Sequence, residues 1–267
     1  MPELPEVETV VRGLAPLLEN QVFGLAQAPW VKVIEPWELD EFNASLKGRT
    51  LLRIFRRGKY ICCDCDGFYL VVHLRMTGRL YISAKPEGDD KWVRFSVALA
   101  SGGFLAFSDA RKFGRINLVT SLDFLEEKLG PEPLELKPED YADIFQGSER
   151  TIKVFLLDQK KLAGVGNIYA DESLFRAGIL PTRKVSSLKR TERVCLGEKV
   201  MEVLSQSIVH EGATISWYRK PDGTQGESQK HFSVYGRGGQ PCLICGTDIT
   251  RIVLGQRGTH YCGKCQH

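Results

Sequence analysis

The sequence predicts an α+β protein: an N-terminal β-sandwich with a long first helix, a helical middle part and a C-terminal β-hairpin zinc finger. Short apolar or alternating segments, several of them separated by glycines, fill the chain up to about residue 120, and many short strands at regular intervals are typical of a sandwich. In the second half, apolar residues recur every four positions from Leu196 to Ile208, which indicates an amphipathic helix. Two Cys-x2-Cys pairs lie near the end of the chain.

The first helix is predicted to begin within the first few residues. Pro5 suits a first helical turn, and Glu3, Glu6 and Glu8 suit the positive end of a helix dipole. Apolar side chains then recur at helical spacing, namely Val7, Val10, Val11, Leu14, Leu17 and Leu18. On local pattern alone, the N-terminal residues are a well-formed helix start.

The same residues also fit amine chemistry, because a proline directly follows the initiator methionine. Removal of Met1 would leave Pro2 with a free secondary amine, and an α-amino group has a pKa near about 8. A secondary amine that attacks an aldehyde-like carbon gives an iminium, which is a strong electron sink. Glu3 and Glu6 follow where a general acid or base would be needed. The helix and nucleophile interpretations are compatible.

Seven strands are predicted after the first helix, each bounded by turn residues. They cover residues 51–55, 60–65, 68–74, 80–83, 93–98, 104–107 and 116–119. Glycine and proline become frequent around residues 130–138, which indicates a linker. We therefore predict four parts, which are a sandwich domain (1–120), a linker (121–137), a helical domain (138–230) and a finger (231–267).

A glycine-containing turn is predicted between two helices at residues 163–167, Ala-Gly-Val-Gly-Asn. It lacks the third glycine of a dinucleotide-binding fingerprint and follows a helix, so a Rossmann site is rejected. Backbone N–H groups at a helix N-terminus bind anions, which makes Asn167 a candidate phosphate contact. An N-cap role for Asn167 fits the local pattern equally well.

The two cysteine pairs form a Cys-x2-Cys-x16-Cys-x2-Cys pattern, which fits one closed, structural four-thiolate zinc site. Its ligands would be Cys242, Cys245, Cys262 and Cys265, with two short strands between the pairs, at residues 249–254 and 256–261. Two disulfides are the alternative. They are disfavoured because no signal peptide precedes the chain and the other four cysteines have no framework spacing.

Composition limits the remaining classes of function. The formal net charge of +3 is a weak nucleic-acid signal over 267 residues, so any DNA-binding charge must be local. Basic residues do cluster between residues 49 and 59 and between residues 183 and 193. No apolar stretch approaches the roughly 20 residues of a membrane helix.

Together, the two ends of the chain resemble bacterial formamidopyrimidine-DNA glycosylases, and the resemblance extends over essentially the whole chain. The N-terminal Met-Pro-Glu-Leu-Pro-Glu-Val-Glu-Thr sequence and a four-cysteine finger are close to diagnostic when they occur together. Five internal segments support the resemblance in order, at residues 57–60, 73–78, 109–114, 164–172 and 234–239.

The resemblance implies a bifunctional DNA glycosylase and abasic-site lyase for oxidised purines, chiefly 8-oxoguanine and formamidopyrimidines. Pro2 would attack the sugar C1′ and expel the base, while Glu3 would act on the ring oxygen. The iminium would acidify the C2′ protons for β- and then δ-elimination. Lys59 would serve β-elimination and Arg257 δ-elimination, and Glu6 would support the amine and the neighbouring backbone.

The resemblance also implies how the DNA would be held. An enzyme that acts on a base must flip it out of the duplex, and Met76, Arg111 and Phe113 would fill the space left behind. Core packing is the alternative for Met76 and Phe113. His73 and Arg150 are further candidate phosphate contacts. In the family the middle domain is a helix–two-turns–helix element, and residues 217–229 correspond to a lid over the flipped base.

The chain departs from the family pattern at one strand. Relatives often carry Lys-His-x-His there, whereas this chain has Lys91, Trp92, Val93 and Arg94. The histidine contact is therefore lost or replaced by Arg94, which leaves lesion preference partly open.

Two other functions fit parts of the pattern. An endonuclease VIII-type glycosylase would share Pro2 but prefer oxidised pyrimidines; Leu4 and the residue 111–113 segment argue against it. A non-catalytic DNA-binding zinc protein is opposed by the intact Pro2, Glu3 and Lys59.

The expected partner is double-stranded DNA with an oxidised base, preferably opposite cytosine. We expect a monomer in the bacterial cytoplasm, associated with the nucleoid through DNA and not with a membrane.

Overall fold

The computed structural model describes all residues from Met1 to His267 and divides into two compact units. Unit 1 comprises residues 1–127 and 210–227, and unit 2 comprises residues 128–209 and 228–267. The four-part division made from the sequence stays a prediction.

Unit 1 is the predicted sandwich. It contains helices α1 (Leu4–Leu18) and α2 (Leu39–Leu46), with α3 (Asp123–Lys128) reaching its boundary. Its eight strands are β1 (Phe23–Gln27), β2 (Arg53–Arg57), β3 (Tyr60–Asp64), β4 (Tyr69–His73), β5 (Gly78–Ser83), β6 (Val93–Leu99), β7 (Phe104–Asp109) and β8 (Arg115–Val119). They form two antiparallel sheets, ordered β1-β6-β7-β5 and β2-β3-β4-β8.

The apolar face of α1 and both sheets share one core. Val10 and Leu14 from the helix belong to the same buried cluster as Phe95, Phe107 and Ile116 from the strands. Leu17, predicted on the apolar face, is 53% exposed. The buried stripe of the helix is therefore narrower than the periodicity indicated, because Leu14 and Leu18 are buried while Leu17 faces solvent.

The structure differs from the local predictions at four elements. The strand predicted at 51–55 lies at Arg53–Arg57, because Arg56 and Arg57 remain in the ladder with their charges paired to Glu8 and Glu126. Strand β1 and helix α2 were not predicted, since both carry few buried residues. Helix α3 lies inside the predicted linker, where acidic residues begin it and Lys128 ends it in accordance with the helix dipole.

Unit 2 contains α4 (Asp140–Ile144), α5 (Ile152–Leu156), α6 (Asn167–Arg176), α7 (Arg190–Val209) and a hairpin of β9 (Thr250–Leu254) and β10 (Arg257–Tyr261). The predicted stripe of α7 is confirmed, because all four of its members are buried. Phe145 packs against both Tyr141 and Phe155, with ring centroids 5.5 and 5.8 Å apart. These three buried aromatic side chains join α4 to α5 within unit 2.

Candidate active site and nucleic-acid interface

The N-terminus of α1 holds three predicted site residues close together. Pro2 is buried, whereas Met1 is 46% exposed. Glu3 is the N-cap, and it forms a capping box with Glu6, whose carboxylate accepts the Glu3 N–H at 2.8 Å. Glu3 and Glu6 are 3% and 1% exposed. A helix start of this kind fixes both carboxylates next to Pro2 and confirms the predicted helix N-terminus.

Glu6 also ties the segment 210–227 to this helix start. Its second carboxylate oxygen accepts the Ala213 N–H at 2.7 Å. Gly212 has a φ of +76°, and a Cβ there would lie 2.9 Å from the Glu6 side chain, so only glycine fits without displacement. Nothing in the sequence pattern indicates this contact, because Glu6 and Ala213 lie 207 positions apart.

Lys59 and His73 lie together at one end of the second sheet. Lys59 lies in the turn between β2 and β3 and is 6% exposed. Burial and the positive charges of Arg75 and Lys59 lower the pKa of His73 to about 3. His73 Nδ1 accepts the Arg75 N–H at 3.0 Å, so the neutral ring carries its proton on Nε2. At neutral pH, His73 can therefore offer a donor but no charge.

Met76 stands at the tip of a tight turn between β4 and β5. The Gly78 N–H donates to Leu74 O at 2.9 Å, and a Cβ on Gly78 would lie 2.3 Å from that oxygen. The turn therefore requires glycine, and it leaves Met76 39% exposed. The alternative that Met76 packs in the core is wrong.

Arg111 and Phe113 project from the loop between β7 and β8. Phe113 is 47% exposed, and the Arg111 guanidinium lies 4.6 Å from the centre of its ring. The core-packing alternative is therefore wrong for Phe113 as well. An exposed ring and guanidinium on one loop can stack against nucleobases.

A small cavity of about 170 Å³ opens beside these two loops in unit 1. The Trp92 and Trp217 rings both line it and meet edge to face, with centroids 5.6 Å apart. Its other lining residues are Thr77, Arg79, Asp90, Ser108, Ala110, Ser216 and Arg219. Arg94 instead donates its Nε–H to Asp109 O at 3.0 Å. In the segment 91–94, where the chain departs from the family pattern, Trp92 thus lines a cavity and Arg94 holds the backbone at Asp109.

In unit 2, the predicted turn before α6 is present but Asn167 is not the cap. Gly166 is the N-cap and Asn167 is the first helical residue, so the capping interpretation is wrong. The Asn167 side chain donates to Gly258 O at 2.9 Å. This hydrogen bond fastens the turn to the hairpin. The first N–H groups of α6, which have no partner within the helix, lie at this turn.

The two predicted arginines of unit 2 are both exposed. Arg257 begins strand β10 at the end of the hairpin, next to Gln256 with a φ of +62°. Arg150 pairs with Asp158 at 2.9 Å. Either guanidinium can meet a phosphate, although Arg150 would first have to share or leave its carboxylate.

The four cysteines predicted as ligands come together at the far end of the hairpin. Their sulfurs all lie within 4.8 Å of one another, and none is in a disulfide. Cys245 and Cys262 are 3.5 Å apart and Cys242 and Cys265 are 3.9 Å apart. Four sulfurs at about 2.3 Å from one zinc ion would be about 3.8 Å apart. The cluster therefore fits a tetrahedral metal ion, and the disulfide alternative is wrong.

Two adjacent acids of α6 that we did not single out hold the finger in place. Asp171 accepts the His260 N–H at 3.0 Å and pairs with the buried Lys153. Glu172 accepts three consecutive backbone N–H groups, from residues 233–235, at 2.8 to 2.9 Å. The signal in the sequence that could have identified them is a pair of adjacent acids in the middle of a helix, because acids are rarely buried unless they are paired.

Family models match the chain in three consecutive stretches. Residues 1–116 match the formamidopyrimidine-DNA glycosylase N-terminal domain, residues 129–219 match the formamidopyrimidine-DNA glycosylase H2TH domain, and residues 239–267 match a zinc finger found in FPG and IleRS. None of the helices has the length and apolar character that crossing a membrane requires.

Similar proteins cover the chain from end to end. Formamidopyrimidine-DNA glycosylases of Herpetosiphon aurantiacus and Bacillus subtilis are 44% and 39% identical, with 100% of this chain and 100% and 99% of theirs aligned. A Lactococcus lactis FPG mutant bound to Fapy-dG-containing DNA has a TM-score of 0.92 at 33% identity, with both chains fully covered. A complex of Lactococcus lactis Fpg with abasic-site DNA also has a TM-score of 0.92 at 33% identity, over 99% of both chains.

Proposed function

Because the chain belongs to the formamidopyrimidine-DNA glycosylase family of DNA-repair enzymes, we propose that it excises oxidised purines from duplex DNA and then cleaves the strand. The substrates would be 8-oxoguanine and formamidopyrimidines, preferably opposite cytosine. The protein would act as a monomer. The relatives' names and their complexes with Fapy-dG and abasic DNA support this proposal.

The observation that carries the proposal is the start of α1. With Met1 removed, Pro2 would present a secondary amine beside two buried carboxylates. Its attack on C1′ would expel the base, and an iminium would form at the sugar when the bond between C1′ and the ring oxygen breaks. Glu3 would protonate the ring oxygen as the ring opens. Glu6 accepts the Glu3 N–H and would keep the backbone beside the amine in place.

The strand-cleavage steps would use two basic side chains, Lys59 and Arg257. Lys59 would contact the phosphate and provide the proton for β-elimination, which the iminium makes possible by acidifying C2′. Arg257 would assist δ-elimination. Both side chains carry the positive charge that a departing phosphate requires, and Arg257 is exposed on its hairpin.

DNA would be held by contacts that both units provide. Met76, Arg111 and Phe113 would enter the space left by the flipped nucleotide, and their exposure supports this role. His73 would donate the Nε2–H of its neutral ring to a DNA phosphate. Asn167 and Arg150, which belong to unit 2, would contact other phosphates of the DNA backbone. We also propose that the flipped base contacts the cavity lined by Trp92 and Trp217. Flat aromatic rings beside polar hydrogen-bond donors suit base recognition.

One structural zinc ion would occupy the four-cysteine cluster. The sulfur spacing fits Zn²⁺, and four protein ligands leave no open position for catalysis. The ion would hold the hairpin that carries Arg257. Zinc therefore takes no part in bond breaking.

Borohydride trapping tests the proposed function. The protein would be incubated with duplexes carrying 8-oxoguanine or an oxidised pyrimidine, and reduction would trap the iminium as a covalent adduct. We expect an adduct mainly with 8-oxoguanine. A preference for the pyrimidine would indicate an endonuclease VIII-type enzyme, and binding without any adduct would indicate a non-catalytic DNA-binding protein.

Glu3→Gln is expected to separate the two activities. Gln keeps the shape of the N-cap but cannot protonate the ring oxygen, so 8-oxoguanine excision should fall by about 10²- to 10⁴-fold. Cleavage of a preformed abasic site should fall much less, because that sugar opens without loss of a base. Single-turnover rates on the two duplexes measure the difference.

Glu8→Gln is the matched control, because Glu8 lies on the same helix and only pairs with Arg12 and Arg56. It should leave both rates unchanged. Equal losses on both substrates in Glu3→Gln would contradict the assignment of Glu3 to ring opening.

Arg111→Ala is expected to weaken discrimination of the base opposite the lesion. The guanidinium can meet the acceptor edge of an unpaired cytosine, which the amino group of adenine opposes. A good base contact gives roughly 1–3 kcal/mol of discrimination, or about ten- to a hundredfold. The ratio of excision rates opposite cytosine and adenine should fall by about that factor.

The measurement is single-turnover excision opposite each base at two salt concentrations. If Arg111 only contacts phosphate, both substrates should weaken together and the loss should depend on salt. An unchanged ratio would therefore exclude a base-reading role.

A further inference from the structure

Asp109 lies at the end of β7, where the turn that carries Met76 meets the loop that carries Arg111 and Phe113. It is 1% exposed, and it pairs with Gly78 at the start of β5 in the sheet register. The Asp109 N–H donates to Trp92 O at 2.9 Å, and the Asp109 O accepts the Arg94 Nε–H. Its backbone is thus held on one side by β5 and on the other by the residues at the start of β6.

The Asp109 carboxylate accepts hydrogen bonds from both loops. One oxygen accepts the Phe113 N–H and the Gly114 N–H, each at 2.7 Å. The other accepts the Arg111 N–H at 3.1 Å and the hydroxyl of Thr77. Four donors converge on one buried carboxylate, and bonds of this charge-assisted kind are stronger than neutral ones.

These bonds hold a loop conformation that the chain would otherwise resist. Lys112, between the two projecting side chains, has a φ of +58°, which is unfavourable for a residue with a Cβ. The Arg111 N–H is shared between Asp109 and the Thr77 hydroxyl, the latter at 3.2 Å. Thr77 in turn directly follows Met76 in the chain. The position of all three projecting side chains thus depends on one buried group.

We propose that Asp109 is the positioning residue for the side chains that enter the duplex. The inference rests on the proposed function, because Met76, Arg111 and Phe113 matter in this way only if a base is flipped. Asp109 contacts no DNA itself. It fixes both loops before DNA binds, so that binding energy is not used to order them.

Asp109→Asn tests this inference without a change in size. An amide presents one donor face, and whichever way it turns, that face meets a backbone N–H of the loop. Single-turnover excision of 8-oxoguanine from a duplex should fall by about 10- to 100-fold, as expected for side chains that are misplaced while the chemistry is intact. Cleavage of an abasic site in single-stranded DNA should not change, because no opposing strand leaves a space to fill.

Thr77→Val provides a second, milder variant, because it removes only the hydroxyl that links the two loops. It should lower duplex excision less than Asp109→Asn and should also spare the single-stranded substrate. Limited trypsin digestion without DNA gives a readout independent of activity. Cleavage after Arg111 or Lys112 should be faster in Asp109→Asn than in the parent.

Asp64→Asn is the matched control, because this carboxylate pairs with Arg53 on the other sheet and accepts no loop N–H. It should match the parent in all three measurements. Equal losses of Asp109→Asn on duplex and single-stranded DNA would show a general role in stability and overturn the inference. Unchanged duplex excision would overturn it too. A parent protein with no activity on either substrate would instead reject the proposed function.

Discussion

Blocking the amine of Pro2 is expected to abolish base excision and leave DNA binding intact. A variant with one additional residue before Pro2 keeps every side chain, but it turns the secondary amine into a peptide nitrogen that cannot attack C1′. Loss of an attacking group costs on the order of 10³- to 10⁶-fold in other enzymes, and borohydride trapping should disappear with it. The measurements are single-turnover excision, adduct formation and lesion-DNA affinity.

The state of the N-terminus must be known for this prediction to be decisive. Mass spectrometry of the same preparations establishes whether Met1 has been removed. The parent with a free Pro2 amine is the control for activity, and its affinity for lesion DNA should match that of the extended variant. Full activity in a preparation that retains Met1 would reject the amine mechanism, although the family and the fold would stand.

Cys245→Ser is expected to unfold the finger and sharply lower affinity for lesion DNA. Zinc binding and folding are coupled in small thiolate sites, and the metal contributes about 10 kcal/mol or more. The apolar cluster of the finger is small, because only the cysteines, Val234 and Ile249 pack with Phe175 there. Without the metal, strands β9 and β10 should separate and Arg257 should lose its position.

Metal analysis, proteolysis and DNA binding measure this effect together. The parent should contain about one zinc per chain, and Cys245→Ser should lose it and be cleaved readily within residues 239–267. The sandwich of unit 1 should remain folded. Cys195→Ser is the control, because Cys195 lies in α7 outside the cluster and its loss should change none of these properties. A metal-free parent that cleaves DNA normally would contradict the prediction.

Local pattern was sufficient for the elements whose signal lies within a few residues. The spacing of Pro5 and the valines predicts α1, the four-residue stripe predicts α7, and the cysteine spacing predicts the metal cluster and its hairpin. Each of these features depends on residues that are close in sequence, so the spacing of residue types is enough to predict it. Strand β1 escaped prediction because few of its residues are buried and its partner β6 lies about 70 residues away in sequence.

The environment of the candidate site was decided only by the tertiary structure. The exposure of Met76 and Phe113 depends on two loops that Asp109 joins across 32 positions of sequence. The neutral state of His73 depends on burial next to Arg75 and Lys59. The fastening of Asn167 to the hairpin spans 91 positions. Sequence alone determined which chemical groups this protein carries near each element. Burial, charge proximity and hydrogen-bond partners required the folded chain, because desolvation and long-range contacts arise only when distant segments pack together.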